Sequence, residues 1–226
     1  TPHQMSSIVF GIKGYEAMAE DLRGCDVILD EIHTYSGEIQ SIVLRIIEIL
    51  LVLDCRIHIG TATMPTVLYK KVLALLGGAN HVYEVSLPDS ILQTFNRHII
   101  HKINNWEDGY GIIDHALKSR NKVLLVCNQV KQSQQLYAIL SDLYPNVKKM
   151  LIHSRFKRQD RQRLETALKE DFNMSDESCI VVSTQVVEVS LDISFDLMIT
   201  ACAPIDALIQ RFGRINRKRT KQTIGH

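Results

Sequence analysis

The sequence predicts an α/β protein with two lobes on mostly parallel sheets, and the first lobe is expected to be incomplete. Short runs rich in β-branched residues alternate with amphipathic helical patterns, which is typical of parallel α/β architecture. The alternation is interrupted near Pro88 and then resumes. Polar residues follow several of the runs directly, as they do at the ligand-binding edges of open parallel sheets.

The first lobe is assigned to residues 1–88. A buried strand at Val27–Leu29 runs directly into acidic residues, and a second strand covers Arg56–Ile59. Helices are expected at Glu38–Leu50 and Thr66–Leu76. The apolar residues of the first helix share one face, namely Ile39, Ile42, Val43, Ile46, Ile47 and Leu50.

The second lobe is assigned to residues 89–226, because Pro88, Asp89 and Ser90 break the pattern. A strand at His98–Ile100 is expected to open it. Further strands are expected at Val123–Cys127, Val147–Ile152, Ile180–Ser183 and Leu197–Thr200. Helices are expected at Val130–Leu143, Lys157–Glu170 and Ile205–Phe212.

Composition limits the classes of function. The chain has 226 residues, 46% of them apolar, and a formal net charge of +1, so any surface for nucleic acid has to be a local groove. The five cysteines are odd in number and form no C-x-x-C pair, which favours reduced core thiols over disulfides or zinc. Neither a spanning apolar run nor a signal peptide is found, so a cytoplasmic protein without a membrane partner is expected. The first residue is Thr, which indicates a piece of a longer protein.

The polar residues after the predicted strands form a candidate site. They are Asp30, Glu31, Thr61, Thr63, Asn128, His153, Thr184 and Gln185. Because ligands bind at the carboxyl ends of parallel strands, these positions are where chemistry is expected.

Asp30 and Glu31 are adjacent carboxylates at a strand end. One of them can hold Mg²⁺ while the other orients and deprotonates an attacking water in phosphoryl transfer. An acidic helix N-terminus is the alternative interpretation, and from these residues alone both stay open.

Gly60–Pro65 follows the next strand and contains two threonines. Their hydroxyl groups can hydrogen-bond the acidic pair and sense what occupies a nucleotide site. A capped turn before the next helix is the alternative, and on its own this turn is the favoured interpretation.

Gln210, Arg214 and Arg217 are spaced so that they share one face if the helix continues through them. Two guanidinium groups on one face suit a γ-phosphate and can act as arginine fingers across a cleft. A solvated basic helix end is the alternative. A functional role is favoured here, because a solvated basic helix end does not require Gln210 and Gly213.

Two further segments can bind a phosphate backbone without reading bases. The first is Ser183–Glu188, which offers hydroxyl and amide groups, and the second is His153–Phe156, which precedes a helix rich in Lys and Arg. A solvated helix face is the more common explanation for the second segment.

The order of these motifs resembles motifs II to VI of superfamily 2 DExD/H-box helicases, which have two RecA-like lobes. The segments that carry the resemblance are VILDEIH, GTATMP, KVLLVCNQV, LIHSRF, STQVVEVSLDISFD and QRFGRINR. The last three are similar to the CRISPR-associated helicase–nuclease of type I interference, an effector that degrades DNA marked by an RNA-guided surveillance complex. Residues 203–206, Ala-Pro-Ile-Asp, add to this similarity.

The resemblance implies roles for individual residues. Asp30 corresponds to the Mg²⁺ ligand, Glu31 to the residue that activates water, and His33 to a link between the acidic motif and the second lobe. Thr61 and Thr63 correspond to the coupling motif. The implied phosphate-sensing set is Gln210, Arg214 and Arg217. The implied single-strand contacts are Thr1, Gln4, Asn128, His153, Ser154, Arg155, Thr184 and Gln185.

The resemblance also implies cofactors and partners: ATP, Mg²⁺, single-stranded DNA, the RNA-guided surveillance complex, and an HD nuclease domain in the same parent or a separate chain. The sequence contains neither G-x-x-x-x-G-K-[ST] nor an HD nuclease domain, so this chain alone is expected to be inactive. An RNA helicase of DEIH type and a non-catalytic nucleic-acid-binding module are the alternatives.

Overall fold

The chain divides into two compact units, Thr1–Ser86 and Leu87–His226. The computed structural model describes residues 2–35, 37–61, 63–92, 98–188 and 191–217. The assignment of the two units to two helicase lobes, with a boundary after residue 88, stays a prediction.

The first unit contains two parallel strands and the helices around them. Its strands are β1 (Asp26–Asp30) and β2 (Arg56–Gly60), with Asp30 opposite Gly60. Its helices are α1 (Pro2–Phe10), α2 (Tyr15–Leu22), α3 (Gly37–Val52) and α4 (Thr66–Leu75). A short 3₁₀ turn at Ile32–Thr34 follows β1.

Burial alternates along β1 and β2, so that one face of the two-stranded sheet is covered. Leu29, Ile57 and Ile59 pack on that face against α3 and α4. Ile28 points the other way and is 74% exposed. A period of two is the pattern of a strand buried on one face only.

The second unit is built on a four-stranded parallel sheet in the order β4-β5-β3-β6. The strands are β3 (Lys122–Val126), β4 (Lys148–Ile152), β5 (Cys179–Ser183) and β6 (Leu197–Thr200). The helices are α5 (Asp89–Leu92), α6 (Tyr110–Lys118), α7 (Val130–Leu143), α8 (Arg158–Ala167) and α9 (Ile205–Phe212).

Both faces of this sheet are buried. Leu124 and Val181 contribute to a cluster that α8 and the turn after it complete. Val123 and Ile180 point to the opposite face and pack with residues of α6 and α7. The continuous apolar runs of β3 and β5 follow from this arrangement, since a strand covered on both faces has no solvent side.

The α/β class and the parallel sheets are confirmed, but one predicted strand is wrong. Residues 98–103 form no regular secondary structure. Ile99 and Ile100 are exposed, and His98 contacts Ile215 O and the ring of Phe212 instead. β-Branched residues stabilise a strand only where a neighbouring strand and a packed face are available.

Four helices were not predicted, and one was predicted too long. The unpredicted helices are α1, α2, α5 and α6, although Ile113 and Ala116 of α6 are buried at helical spacing. The predicted helix Lys157–Glu170 is α-helical only over Arg158–Ala167, and a π-helical turn at Leu168–Asn173 continues it. That turn buries Asn173, whose Oδ1 accepts a hydrogen bond from Ser194 N at 2.7 Å.

The cysteines are all free, in agreement with the sequence, but they are not all in the core. Cys55, Cys127 and Cys179 are buried, whereas Cys25 and Cys202 are exposed. Burial raises the pKa of Cys127 and of Cys179 to about 11, so both are uncharged at neutral pH. Among the helices of the described residues, none combines the length and apolar character needed to cross a membrane.

Candidate functional site

The carboxyl end of β1 carries the acidic pair. Asp30 is the last residue of the strand, and Glu31 follows it in a left-handed conformation with φ 51° and ψ 39°. Glu31 N donates to Gly60 O at 2.8 Å, which holds the chain to β2 at this turn. Because a residue with a Cβ rarely adopts this conformation, the surrounding contacts must impose it, and such positions are concentrated at functional sites.

His33 connects the acidic pair to the turn after β2. Its Nδ1 lies 2.7 Å from Thr61 Oγ1, and its Nε2 lies 3.0 Å from Thr63 Oγ1 and 3.2 Å from Glu31 Oε2. Thr61 Oγ1 also accepts from Thr63 N at 3.2 Å. We refer to Glu31, His33, Thr61 and Thr63 as the His33 cluster. The structure therefore brings together four of the predicted site residues, with the imidazole at the centre.

Asp30 is exposed beside this cluster, and Gly60 leaves room for it. A Cβ on Gly60 would lie 3.3 Å from Asp30 Oδ1, closer than most side-chain contacts. Among the described residues, no group of three His, Cys, Asp or Glu side chains converges to hold a metal ion. Mg²⁺ is commonly bound by one or two carboxylates together with substrate phosphates, so an exposed carboxylate at a strand end fits its chemistry.

In the second unit, a buried arginine contacts residues at the ends of three strands. Arg211 of α9 is 1% exposed, and its Nε lies 2.8 Å from Glu188 Oε1. Its Nη1 donates to Thr200 Oγ1 at 2.7 Å, and its Nη2 donates to Asn128 Oδ1 at 3.0 Å. We refer to Asn128, Glu188, Thr200 and Arg211 as the Arg211 cluster.

Sequence reasoning missed Arg211, although a signal was present. Arg211 stands three and four residues after Leu208 and Ala207, so it lies on the same side of α9 as they do. These two residues are partly buried. An arginine on the inward side of an amphipathic helix requires a counter-charge and hydrogen-bond acceptors, and it is seldom buried without them.

The predicted common face of Gln210, Arg214 and Arg217 is wrong. Helix α9 ends at Phe212, and the chain then turns through Gly213 and Asn216, which has φ 49°. Arg214 lies in this turn, and its guanidinium donates to the carbonyl oxygens of Val187, Glu188 and Leu191. Spacing along an α-helix therefore does not relate the three side chains.

Arg217 lies further along the same turn. Its Nε is 3.1 Å from Asp192 Oδ1, and both side chains are substantially exposed. Gln210 remains on α9, where it is half-buried. The residues of the predicted phosphate-sensing set thus differ in environment, from one guanidinium enclosed by carbonyl groups to one at the surface.

The predicted strand contacts divide by exposure. Gln4, Asn128, Ser154, Arg155 and Gln185 are exposed. His153 and Thr184, in contrast, are only 5% and 2% exposed. These two side chains present little surface to a strand, and their assignment as strand contacts stays a prediction. Thr1 lies outside the described residues.

His153 packs against its own loop. Its ring stacks on that of Phe156, with the centroids 4.3 Å apart and the planes 16° apart. Its Nδ1 is buried without a hydrogen-bond partner. Burial lowers the pKa of His153 below its ordinary value of 6.5, and the positive charge of Arg155 acts in the same direction.

Comparisons with known proteins give these features a family. Residues 119–220 match the family model described as "CRISPR-associated nuclease/helicase Cas3, C-terminal". The CRISPR-associated nuclease/helicase Cas3 of Methanothermobacter thermautotrophicus is 30% identical over 230 residues, which cover 97% of this chain and 27% of that protein. This chain therefore spans about a quarter of the length of that relative.

The solved structures show the same fold. Cas3 of T. fusca with ATP superposes with a TM-score of 0.70 at 23% identity, over 91% of this chain and 29% of that one. A chain of a structure described as a CRISPR RNA-guided surveillance complex, pre-nicking, gives a TM-score of 0.63 at 23% identity, over 88% of this chain and 29% of that one.

The parallel sheets and the likeness to these solved structures define the fold as RecA-like. Residues 119–220 are similar to the Cas3-like C-terminal helicase domain, and the similarity to Cas3 extends over nearly the whole chain.

Proposed function

We propose that the chain is part of an ATP-dependent single-stranded-DNA translocase and helicase of type I CRISPR interference. The parent protein would unwind target DNA for degradation by a nuclease domain outside this chain. The observation that carries the proposal is the His33 cluster, in which Glu31, Thr61 and Thr63 all lie within hydrogen-bond distance of one imidazole. The similarity to Cas3 nuclease/helicases supplies the biological setting.

In this proposal Asp30 and Glu31 divide the chemistry of ATP hydrolysis. Asp30 would hold Mg²⁺, which neutralises charge on the phosphates when it is bound. Glu31 would orient the attacking water and accept its proton, since its carboxylate is only partly exposed and its backbone is fixed to β2.

The His33 cluster would couple nucleotide state to the rest of the motor. A change in what Glu31 contacts alters the hydrogen bond to His33 Nε2. Thr63 Oγ1 shares that nitrogen, and Thr61 Oγ1 lies at the other nitrogen of the ring. Because hydroxyl and imidazole groups can donate or accept, the network can change direction without losing its bonds.

Gln210, Arg214 and Arg217 would sense the γ-phosphate from the second unit. Arg217 is the better candidate for direct contact, because its partner Asp192 is 78% exposed and an exposed ion pair is weak enough to be exchanged. Arg214 is held by three carbonyl oxygens, which makes it the less accessible of the two arginines.

The proposed strand contacts are the exposed residues Gln4, Asn128, Ser154, Arg155 and Gln185. Amide, hydroxyl and guanidinium groups of this kind bind phosphate and sugar groups irrespective of base sequence. The proposed partners are single-stranded DNA, an RNA-guided surveillance complex, and an HD nuclease domain in the same parent or a separate chain. Hydrolysis would also require a phosphate-binding loop, which these 226 residues do not contain.

The exchange Glu31→Gln in the full-length protein that contains this chain tests the proposal. We expect ATP turnover stimulated by single-stranded DNA to be abolished, while binding of a fluorescent ATP analogue is retained. Glu38→Gln is the matched control, because Glu38 is an exposed glutamate of the same unit. Wild-type turnover in the Glu31→Gln protein would contradict the role of Glu31.

The same assay separates the alternatives when it is run with DNA and with RNA. Stimulation by DNA supports the proposal, and stimulation by RNA alone favours an RNA helicase. Strand binding by a wild-type protein that never hydrolyses ATP favours a non-catalytic module.

A further inference from the structure

The Arg211 side chain lies at the meeting point of four segments of the second unit. Its guanidinium contacts Asn128 after β3, Glu188 after β5, and Thr200 at the end of β6, and it also donates to Ala201 O at 3.1 Å. The side chain itself belongs to α9. One residue thereby fixes a helix and three strand ends to one another.

The chemistry of the guanidinium makes these contacts specific. It is planar, permanently charged and donates only, so every group that it meets must present an oxygen. The oxygens of Glu188, Thr200 and Asn128 satisfy this requirement. A buried ion pair contributes little net stability compared with apolar packing. The role of Arg211 is therefore sought in the positions that it gives to the residues it contacts.

Asn128 connects the buried Arg211 to the protein surface. Since Arg211 only donates, Oδ1 of Asn128 must face it, and Nδ2 then donates to Cys202 O at 2.7 Å. The backbone oxygen of Asn128 accepts from Gln185 Nε2 at 3.2 Å. Asn128 and Gln185 are both exposed at this edge of the sheet. Their orientation thus depends, directly or through one hydrogen bond, on the buried arginine.

We infer that Arg211 is a positioning residue for single-strand binding, which holds Asn128, Gln185 and the loop to Glu188 in the arrangement that contacts the strand. This inference rests on the proposed function, because it assigns a support to the strand contacts named there. Arg211 itself is buried and does not touch the strand.

The first experiment compares Arg211→Lys with wild type in the full-length protein. Lysine keeps the charge beside Glu188 but loses the fork that reaches Thr200 and Asn128. Binding of a labelled single-stranded oligodeoxynucleotide is measured by fluorescence anisotropy, and we expect Kd to rise about tenfold, as for the loss of one hydrogen bond between Asn128 and a phosphate of the strand. Arg45→Lys, at an exposed position of α3, should leave Kd unchanged.

A double-variant cycle tests whether the effect passes through Asn128. If Arg211 acts by orienting Asn128, the protein with both Arg211→Lys and Asn128→Ala should bind no more weakly than the weaker single variant. Hydrogen exchange should accelerate in residues 185–188 but not in the central strand β3. Additive effects on Kd, or faster exchange throughout the second unit, would show a general structural role and overturn the inference.

Salt dependence separates positioning from direct contact. The charge-neutral pair Arg211→Gln with Glu188→Gln should leave the slope of log Kd against log salt unchanged, whereas Arg155→Gln should reduce its magnitude by about 0.7. A reduced slope in the Arg211 pair would mean that Arg211 contacts phosphate, contrary to the inference. If the wild-type protein does not bind the oligonucleotide at all, the proposed function fails, and the inference fails with it.

Discussion

The His33 cluster and the Arg211 cluster occupy equivalent places, at the carboxyl ends of parallel strands, but they are built differently. In the first unit, a histidine lies between two hydroxyl groups and a partly exposed carboxylate. In the second unit, a guanidinium that is almost fully buried is paired with a carboxylate and hydrogen-bonded to groups at three strand ends.

The difference teaches how each cluster can respond to a ligand. Hydroxyl and imidazole groups exchange donor and acceptor roles, so the His33 cluster can rearrange at little cost. The guanidinium has one role only and a fixed shape, so the Arg211 cluster can be kept or broken but not rearranged. The first unit is therefore suited to relay a change, and the second to hold a fixed surface.

The largest expected effect is on stability, and it compares the two clusters directly. Arg211→Ala leaves Glu188 buried without its counter-charge, and we expect a loss of about 3–5 kcal/mol in the free energy of unfolding of the second unit. His33→Ala leaves the Thr61 hydroxyl bonded to the backbone of Thr63, so we expect a loss of about 1–3 kcal/mol in the first unit. Urea denaturation measures both.

Each unit needs its own probe and control. Trp106, the only tryptophan of the chain, packs in the core of the second unit, so its fluorescence reports that unit. Hydrogen exchange of β2 reports the first unit. Arg45→Ala and His58→Ala are controls, because both side chains are mostly exposed. Equal losses for Arg211→Ala and His33→Ala would remove the distinction between a rigid and an adaptable cluster.

The two clusters also show what could be predicted from sequence. Asp30, Glu31, Thr61 and Thr63 were selected because they follow apolar runs that are predicted to be strands, and the ends of neighbouring parallel strands meet. Arg211 was missed because hydrogen-bond partners from residues 128, 188 and 200 are separated widely along the chain. Hydrophobic periodicity indicates which face of a helix or strand a residue occupies. It does not indicate which residues of other elements contact it there.

The same limit applies to the strand ends, and it explains the error at the end of α9. His153 and Thr184 follow strands as Asn128 does, yet they turn inward, because the residue after a strand has no fixed side. Arg214 and Arg217 were placed on a helix that ends at Phe212. Gly213 is the kind of residue that commonly follows a helix, so this end was present in the sequence as a signal.

A second buried histidine, His153, extends the comparison of the two units to the pH dependence of their stability. His153 has no partner at Nδ1, and its pKa is lowered mainly by burial, so the folded state binds its proton less readily than the unfolded state. The unfolded state then binds more protons below about pH 6.5, and the free energy of unfolding falls as the pH is lowered through this value.

Replacing His153 by Phe tests this. The exchange should reduce the loss of stability between neutral and mildly acidic pH, measured by urea denaturation with Trp106 fluorescence. His115→Phe is a comparison at another histidine of the second unit, one on a helix rather than in the stacked loop. A pH dependence that is unchanged in the His153 variant would contradict this account.

The smallest effect on stability is expected at Arg217. Its pair with Asp192 lies at the surface, where such pairs contribute about 0–1 kcal/mol, so Arg217→Ala should barely change the unfolding of the second unit.

This makes Arg217 the clearest test of a guanidinium that acts on the nucleotide. If it contacts the γ-phosphate, ATP turnover of the full-length protein should fall by roughly 10³-fold or more, with the fold intact. Asp192→Asn frees the same arginine without removing it and should retain turnover. Turnover that is unaffected by Arg217→Ala would leave the second unit without an accessible arginine for the phosphate among Arg211, Arg214 and Arg217, since the other two are held by carbonyl and carboxylate oxygens.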